Sequence, residues 1–210
     1  AKDVCEGTTR LHRRARAEAI PAERGLTMVP PFDHEFIIEG QGTCGLEILE
    51  QVADADIVVV PVGGGGLVSG VAAAIKLSRP SVQVVGAEPA GAAKMTASLA
   101  AGHPITLAKT SSIADGLMPV RPGDLTFEHV KAFVDCVVTV DDAAIARAAL
   151  WLFHEAKQVI EPSGAATVAA VLWPDGNGPH ADRSKKVVAI LSGGNVAPET
   201  LAELSRSWSI

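Results

Sequence analysis

Asp56-Ile57-Val58-Val59-Val60-Pro61-Val62-Gly63-Gly64-Gly65-Gly66-Leu67 is the stretch whose reading decides the fold. After Asp56 comes an unbroken apolar run of strand length. Such a run has no polar face to offer to water, so it belongs in the middle of a parallel sheet covered on both sides by helices. The four glycines that follow let the backbone turn tightly and let a ligand approach it closely. A helix is predicted from Leu67 to about Leu77, and Val82 to Ala87 is predicted as the next strand, completing a βαβ unit.

The same alternation extends in both directions. Upstream, residues 4–24 read as a helix rich in Ala and Arg that stops at Gly25. Leu26 to Val29 reads as a short strand closed by Pro30-Pro31. Beyond a turn at Asp33, Gly42-Thr43 is expected to open a helix with Thr43 as its N-cap. Downstream, a helix is predicted over Ala92 to Ala101, then an irregular stretch from Gly102 to about Pro122, of a length usually reserved for function or mobility. Phe127 to Phe133 reads as helix and Val137 to Val140 as strand. Asp141 or Asp142 caps a periodic helix running to about Lys157, and Gly164 to Leu172 is another helix, closed by Trp173-Pro174. Residues 175–185 are a polar surface loop. Val187 to Leu191 is the last strand, and Ser192-Gly193-Gly194-Asn195 turns into a short terminal helix. The fold class is therefore α/β, a mainly parallel twisted sheet flanked by helices.

Composition agrees and narrows the function classes. With 48% hydrophobic and 20% charged residues among 210, the chain has ample material for a packed core. A net charge of −6 with no basic stripe argues against nucleic acid as a partner. The cationic stretch Arg10 to Arg16 is a solvated helix face. No apolar run reaches membrane-spanning length, and no leader pattern is visible. Cys5, Cys44 and Cys136 fit neither a disulfide framework nor a metal-ligand spacing, so a reducing, cytoplasmic setting is expected. The six histidines also lack metal-ligand spacing. The chain begins at Ala1 without an initiator Met, as a piece of a longer protein would.

Chemistry gathers at the ends of the strands. A glycine loop running into a helix offers unpaired N–H groups and the positive end of the helix dipole, a phosphate site that needs no cationic side chain. A nucleoside-triphosphate loop would continue Gly-Lys-Ser/Thr, whereas residues 66–69 are Gly-Leu-Val-Ser. A dinucleotide site would place an acid at the end of the next strand; Glu88 stands there, so that reading stays open, as does a purely structural turn. Ser192, at the end of the last strand, offers a hydroxyl to a ring nitrogen or caps the final helix. Glu161, in Ile160-Glu161-Pro162-Ser163-Gly164, is either a helix-terminus charge or a functional group.

Taken together, Gly40-Gln41-Gly42-Thr43, the Pro61–Gly66 run, Gly86-Ala87-Glu88-Pro89, Ala114-Asp115-Gly116, Ile160-Glu161-Pro162 and Ser192-Gly193-Gly194-Asn195 occur in an order and at separations that closely resemble the threonine dehydratase and serine racemase family. These are pyridoxal-phosphate enzymes of the tryptophan-synthase-β fold type, and the resemblance runs from Phe32-Asp33 to Asn195. It implies pyridoxal 5'-phosphate as cofactor, its phosphate held by the amides of Gly63, Gly64, Gly65, Gly66 and Leu67. It places Ser192 on the pyridine nitrogen, Gly116 against the ring, Glu161 near the ring edge and Phe32 beside the pocket. It also implies that residues 1–32 are the tail of a smaller α/β domain, that 33–210 are the large cofactor-binding domain lacking its amino-terminal part, and that the protein is a homo-oligomer.

The implied reaction is dehydration (ammonia-lyase chemistry) or racemisation of L-serine or L-threonine, the former giving a 2-oxo acid and ammonia. Cysteine-synthase-like β-replacement is a sister reading, against which the glycine run and the Ser192–Asn195 ending argue. The family's Schiff-base lysine and its carboxylate-binding Ser-x-Gly-Asn loop match nothing in residues 1–210, so no catalytic residue is assigned. A chain that binds cofactor but does no chemistry is thus the rival expectation. The racemase branch holds a divalent cation at positions matching Glu88 and Ala92 together with an acid; Lys94 stands where that acid would be, and no metal is expected.

Overall fold

The structure is a computed structural model, and it describes residues 16–17, 19–21, 23–173 and 184–208. The chain divides into two compact units, Ala1–Pro31 and Phe32–Ile210. In the first, residues 16–24 are helical where described, Arg16 pairs with Glu23 at 2.6 Å, and the helix ends at Gly25 with φ +62°. The strand expected over Leu26–Val29 does not form; these residues join no ladder, and Val29 is 70% exposed. Apolar residues make a strand only where a neighbouring edge pairs with them. The helix predicted over 4–15 and most of the loop predicted over 175–185 lie outside the described residues.

The second unit is built on a four-stranded, all-parallel sheet in the order β3-β2-β1-β4. Its strands are β1 (Ile57–Pro61), β2 (Gln83–Pro89), β3 (Cys136–Val140) and β4 (Val187–Ala189). β1 lies inside the sheet, with Val59 beside Val85 on one side and Ala189 on the other. Its residues 57–60 are at most 2% exposed, as an apolar run without alternation requires.

Odd and even residues of β1 serve different cores. Val58 and Val60 pack with α2 (Gly66–Ser78), α3 (Lys94–Ala101) and α4 (Asp124–Phe133) through Val68, Ile75, Met95 and Phe127. Ile57 and Val59 pack with α5 (Asp142–His154), α6 (Pro162–Leu172) and α7 (Pro198–Ser207) through Ile145, Ala166 and Leu204. α5 starts as expected, with Asp141 Oδ1 accepting from Ala144 N at 2.6 Å, but it ends at His154, short of Lys157, whose φ is +56°.

The helix expected to open at Thr43 begins eight residues earlier: α1 spans Glu35–Gln51. His34 caps it, its Nδ1 accepting from Phe36 N at 3.2 Å, while Thr43 Oγ1 merely donates to Gly40 O inside the helix. Two glycines, Gly45 in α1 and Gly70 in α2, are packing devices. A Cβ on Gly45 would sit 2.8 Å from Val71 O, and one on Gly70 would run into the Ile38 carbonyl. α1 and α2 therefore touch backbone to backbone, which offsets the roughly 1 kcal/mol by which each helical glycine disfavours the helix. Gly70→Ala is expected to destabilise the chain by about 1–3 kcal/mol through overpacking. Gly40→Ala, where a Cβ meets nothing within 4 Å, should stabilise it by up to about 1 kcal/mol; urea denaturation of both variants checks the contrast.

Candidate functional site: a glycine cradle at the strand ends

The chain leaving β1 enters α2 on one face of the sheet, and the chain leaving β4 reaches α7 on the other. Neighbouring strands whose exits part in this way open a crevice at their carboxyl ends, the ligand position of open α/β sheets. Gly63 begins one lip and Ser192 the other.

The glycine loop is held by its carbonyls and not by its amides. Gly64 O accepts from Thr126 Oγ1 at 2.7 Å and from Gly123 N at 3.2 Å, and Thr126 is fully buried. Among the described residues, the amides of Gly63, Gly64, Gly65, Gly66 and Leu67 find no acceptor in the chain. Gly64, Gly65 and Gly66 are buried. Buried donors without partners are rare in folded chains and mark a place where something else must accept. Gly65 is the N-cap of α2 in the left-handed region, φ +102°, and contributes no side-chain cap that would compete for those amides. With the dipole of α2 behind it, this run fits a phosphate group.

Neighbours close the cradle. The ring of Phe32 fills the space a Cβ on Gly64 would need, and its own Cβ lies 2.9 Å from where one on Gly66 would be. Asp33 accepts from the first amides of α4, those of Asp124, Leu125 and Thr126, at 3.1, 3.0 and 3.2 Å. Gly123, the N-cap of α4, has no side chain to do so. Asp33 thereby holds the helix that carries Thr126 to the glycine loop.

The other predicted residues form a continuous rim. A Cβ on Gly63 would lie 3.1 Å from Gly116 O, and one on Gly116 would lie 2.9 Å from Ser163 Oγ and 3.6 Å from Glu161 Oε1. Gly116 N donates to Ser163 Oγ at 3.0 Å and to Asp115 Oδ1 at 2.9 Å. Glu161, the N-cap of α6, donates its amide to Gly193 O at 3.2 Å, and its carboxylate lies against the face of Gly193, whose φ is +85°. Half-buried Ser192 keeps its hydroxyl free of any described partner. Contacts thus run from Phe32 to Gly64 and Gly66, from Gly63 to Gly116, from Gly116 to Glu161, and from Glu161 to Gly193, the neighbour of Ser192. Sequence reasoning assigned no role to Asp33, Thr126 or Ser163. Only Ser163 had a local signal, its place in the first turn of a Pro-started helix.

Glu88 belongs to a different cluster. Its Oε1 accepts from Thr96 N at 2.7 Å and its Oε2 from Met95 N at 3.1 Å, capping α3 in place of Ala93, and Lys94 Nζ lies 3.2 Å from Oε2. Fully buried and fully bonded, Glu88 is not open to a ribose hydroxyl, which removes the support for a dinucleotide site. Lys94 is also fully buried and donates to Val62 O at 2.7 Å and Leu117 O at 3.1 Å. Burial pushes the Lys94 ammonium below its usual range and Glu88 opposes that shift. Three acceptors match the three N–H groups of the charged form. Ala92 is buried in the 3₁₀ turn before α3. Among the described residues no group of three or more His, Cys, Asp or Glu is arranged to hold a metal. Partial desolvation and then the neighbouring carboxylates, Glu47 and Asp135 respectively, raise the thiols of Cys44 and Cys136. No helix among the described residues is long and apolar enough to cross a membrane.

Comparison with known proteins agrees with this geometry. The model of the pyridoxal-phosphate dependent enzyme family matches residues 3–193. The chain is 43% identical over 196 residues to the L-threonine ammonia-lyase of Thermotoga maritima, covering 93% of this chain and 48% of that protein. It is 44% identical over 185 residues to a serine racemase of Oryza sativa, covering 88% of this chain and 54% of that protein. Among solved structures, maize serine racemase superimposes with a TM-score of 0.86 at 38% identity, over 97% of this chain and 62% of that one. The chain spans about half the length of the two sequence relatives.

Thr126→Val keeps the shape of the buried side chain but removes one of the two donors that hold Gly64 O. The loss of about 1 kcal/mol should lower the melting temperature by roughly 2–4 °C and loosen the loop. Affinity for inorganic phosphate, measured calorimetrically, should fall by about three- to tenfold.

Proposed function

The chain belongs to the pyridoxal-phosphate-dependent enzyme family, and from that premise we propose that it is the cofactor-cradling portion of a dehydratase (ammonia-lyase) or racemase acting on L-serine or L-threonine. The observation that carries the reading is the run of amides at Gly63–Leu67 that find no acceptor among the described residues, linked through Gly116 and Glu161 to the segment of Ser192. When bound, pyridoxal phosphate supplies the electron sink that makes loss of the α-proton feasible.

The rest falls to the chain. The amides of Gly63 to Leu67 hold the phosphate, and Phe32 keeps water from its back. Ser192 Oγ holds the ring nitrogen. A neutral hydroxyl does not enforce protonation there, which suits elimination and racemisation better than chemistry that needs a charged ring. Gly116, without a side chain, would leave room for the cofactor ring, and Ser163 fixes the 115–117 turn through the Gly116 amide. The Glu161 carboxylate would stand near the bound ring, its segment steadied by the Glu161 amide bond to Gly193. Dehydration removes the α-proton and the β-hydroxyl as water, and hydrolysis of the released imine gives a 2-oxo acid and ammonia; racemisation returns a proton to the opposite face of the α-carbon. The same proposal makes residues 1–32 the tail of a smaller domain, the assembly a homo-oligomer and its setting cytoplasmic.

The purified chain should bind pyridoxal phosphate in competition with inorganic phosphate, followed by cofactor absorbance. Ser192→Ala should weaken the cofactor by roughly three- to tenfold while leaving inorganic phosphate affinity in place. Ammonia and 2-oxo acid formed from L-serine or L-threonine mark a dehydratase, and D-serine marks a racemase. Tight cofactor binding without either product identifies a silent binder, and failure to bind pyridoxal phosphate at all refutes the assignment of the cradle.

A further inference from the structure

We propose that Lys94 is a positioning residue whose ammonium acts as a built-in cation, tying the strand end that enters the glycine loop and the turn that carries Gly116 to the capped start of α3. Lys94 is among the largest fully buried side chains of the described residues. Nothing about its helix asks for it: a cation in the first turn meets the positive end of the dipole, and an apolar residue of the same length would fill the space without desolvating a charge. What asks for it is the oxygen shell. Val62 O at 2.7 Å, Leu117 O at 3.1 Å and Glu88 Oε2 at 3.2 Å surround Nζ and come from three separate segments.

Two of those oxygens adjoin the cradle directly. Val62 precedes Gly63, and Leu117 follows Gly116. Neither carbonyl lies within a strand of the sheet, so the ammonium fixes how far the glycine loop stands from the 115–117 turn, and Gly63 touches Gly116 where it does. Glu88 supplies the compensating charge and is itself anchored by two α3 amides. One carboxylate and two main-chain carbonyls are hard oxygen donors of the kind that alkali and alkaline-earth cations take. The cluster is therefore a cation site whose cation is covalently supplied, and the cradle keeps its shape at any free metal-ion concentration. The link to cofactor binding rests on the function proposed above; the cation site itself does not.

Three variants of the full chain test this in choline chloride, with KCl, methylammonium chloride, MgCl2 or CaCl2 added at matched ionic strength. The melting temperature of the unmodified chain should be indifferent to which cation is present. Lys94→Ala should melt on the order of 10 °C lower in choline, bind inorganic phosphate about tenfold more weakly, and recover both when a cation small enough for the vacated shell is added. Lys94→Asp, which sets a second carboxylate beside Glu88, should gain a saturable stabilisation by Mg2+ or Ca2+. Lys94→Met should lose phosphate affinity with no recovery by any cation. Should Lys94→Ala fail to fold in choline, folding restored by cations counts for the clamp. The clamp is overturned if Lys94→Met matches the unmodified chain in stability and phosphate affinity, or if neither the Ala nor the Asp variant responds to any cation. Failure of the unmodified chain to bind pyridoxal phosphate would refute the functional reading while leaving the cation response of the variants to be judged separately.

Discussion

Five consecutive main-chain amides without an acceptor among the described residues, three of them in buried residues, are the constraint around which the second unit is organised. A chain can leave such donors unpaired only if the loop that bears them is prevented from collapsing onto its own carbonyls. Here the prevention is mechanical. Thr126 and Gly123 take the Gly64 carbonyl from behind, Phe32 occupies the flank, and α2 fixes the last amides by its own geometry. Thr126 depends on α4, and α4 depends on Asp33. The sheet beneath supplies the rigid edge from which the loop springs, and its two cores hold that edge from both faces.

Close backbone approach is the second theme, and it follows from the first. A loop built of glycine has no side chains with which to grip its surroundings, so the surroundings must come to its backbone. Gly116 reaches Gly63, Gly193 reaches Glu161, and beneath the loop α1 and α2 meet through Gly45 and Gly70. The scarcity of aromatics, 4% of the chain, belongs to the same design. Small side chains allow helices to sit close against the sheet, and packing density replaces bulk.

Much of this was legible in the sequence because the signals were local. A five-residue apolar strand, a glycine run and the capping Asp141 each announce themselves within a dozen residues, and the order of motifs supplied the cofactor. What was not legible depends on partners distant in the chain. Gly42 breaks a helix on propensity alone, yet α1 runs through it because α2 needs the room. Leu26–Val29 has strand composition but no edge to join. Glu88 looked open to a ligand at the end of its strand and is instead consumed by the helix that starts after it. Asp33, the acid that α4 needs, lies on the far side of the glycine loop in sequence, and no periodicity or capping rule would have found it.

That last contact has a kinetic meaning. The bonds from Asp33 to α4 span 91 to 93 residues of chain, and the Thr126–Gly64 bond spans 62. Such closures are entropically expensive and come late, after the local hairpins of strand and helix have consolidated. The glycine loop is therefore held in its presenting shape only in molecules whose α4 has docked on Asp33 and Thr126 has reached Gly64. A ligand of this loop thus distinguishes chains with α4 in place from those without it.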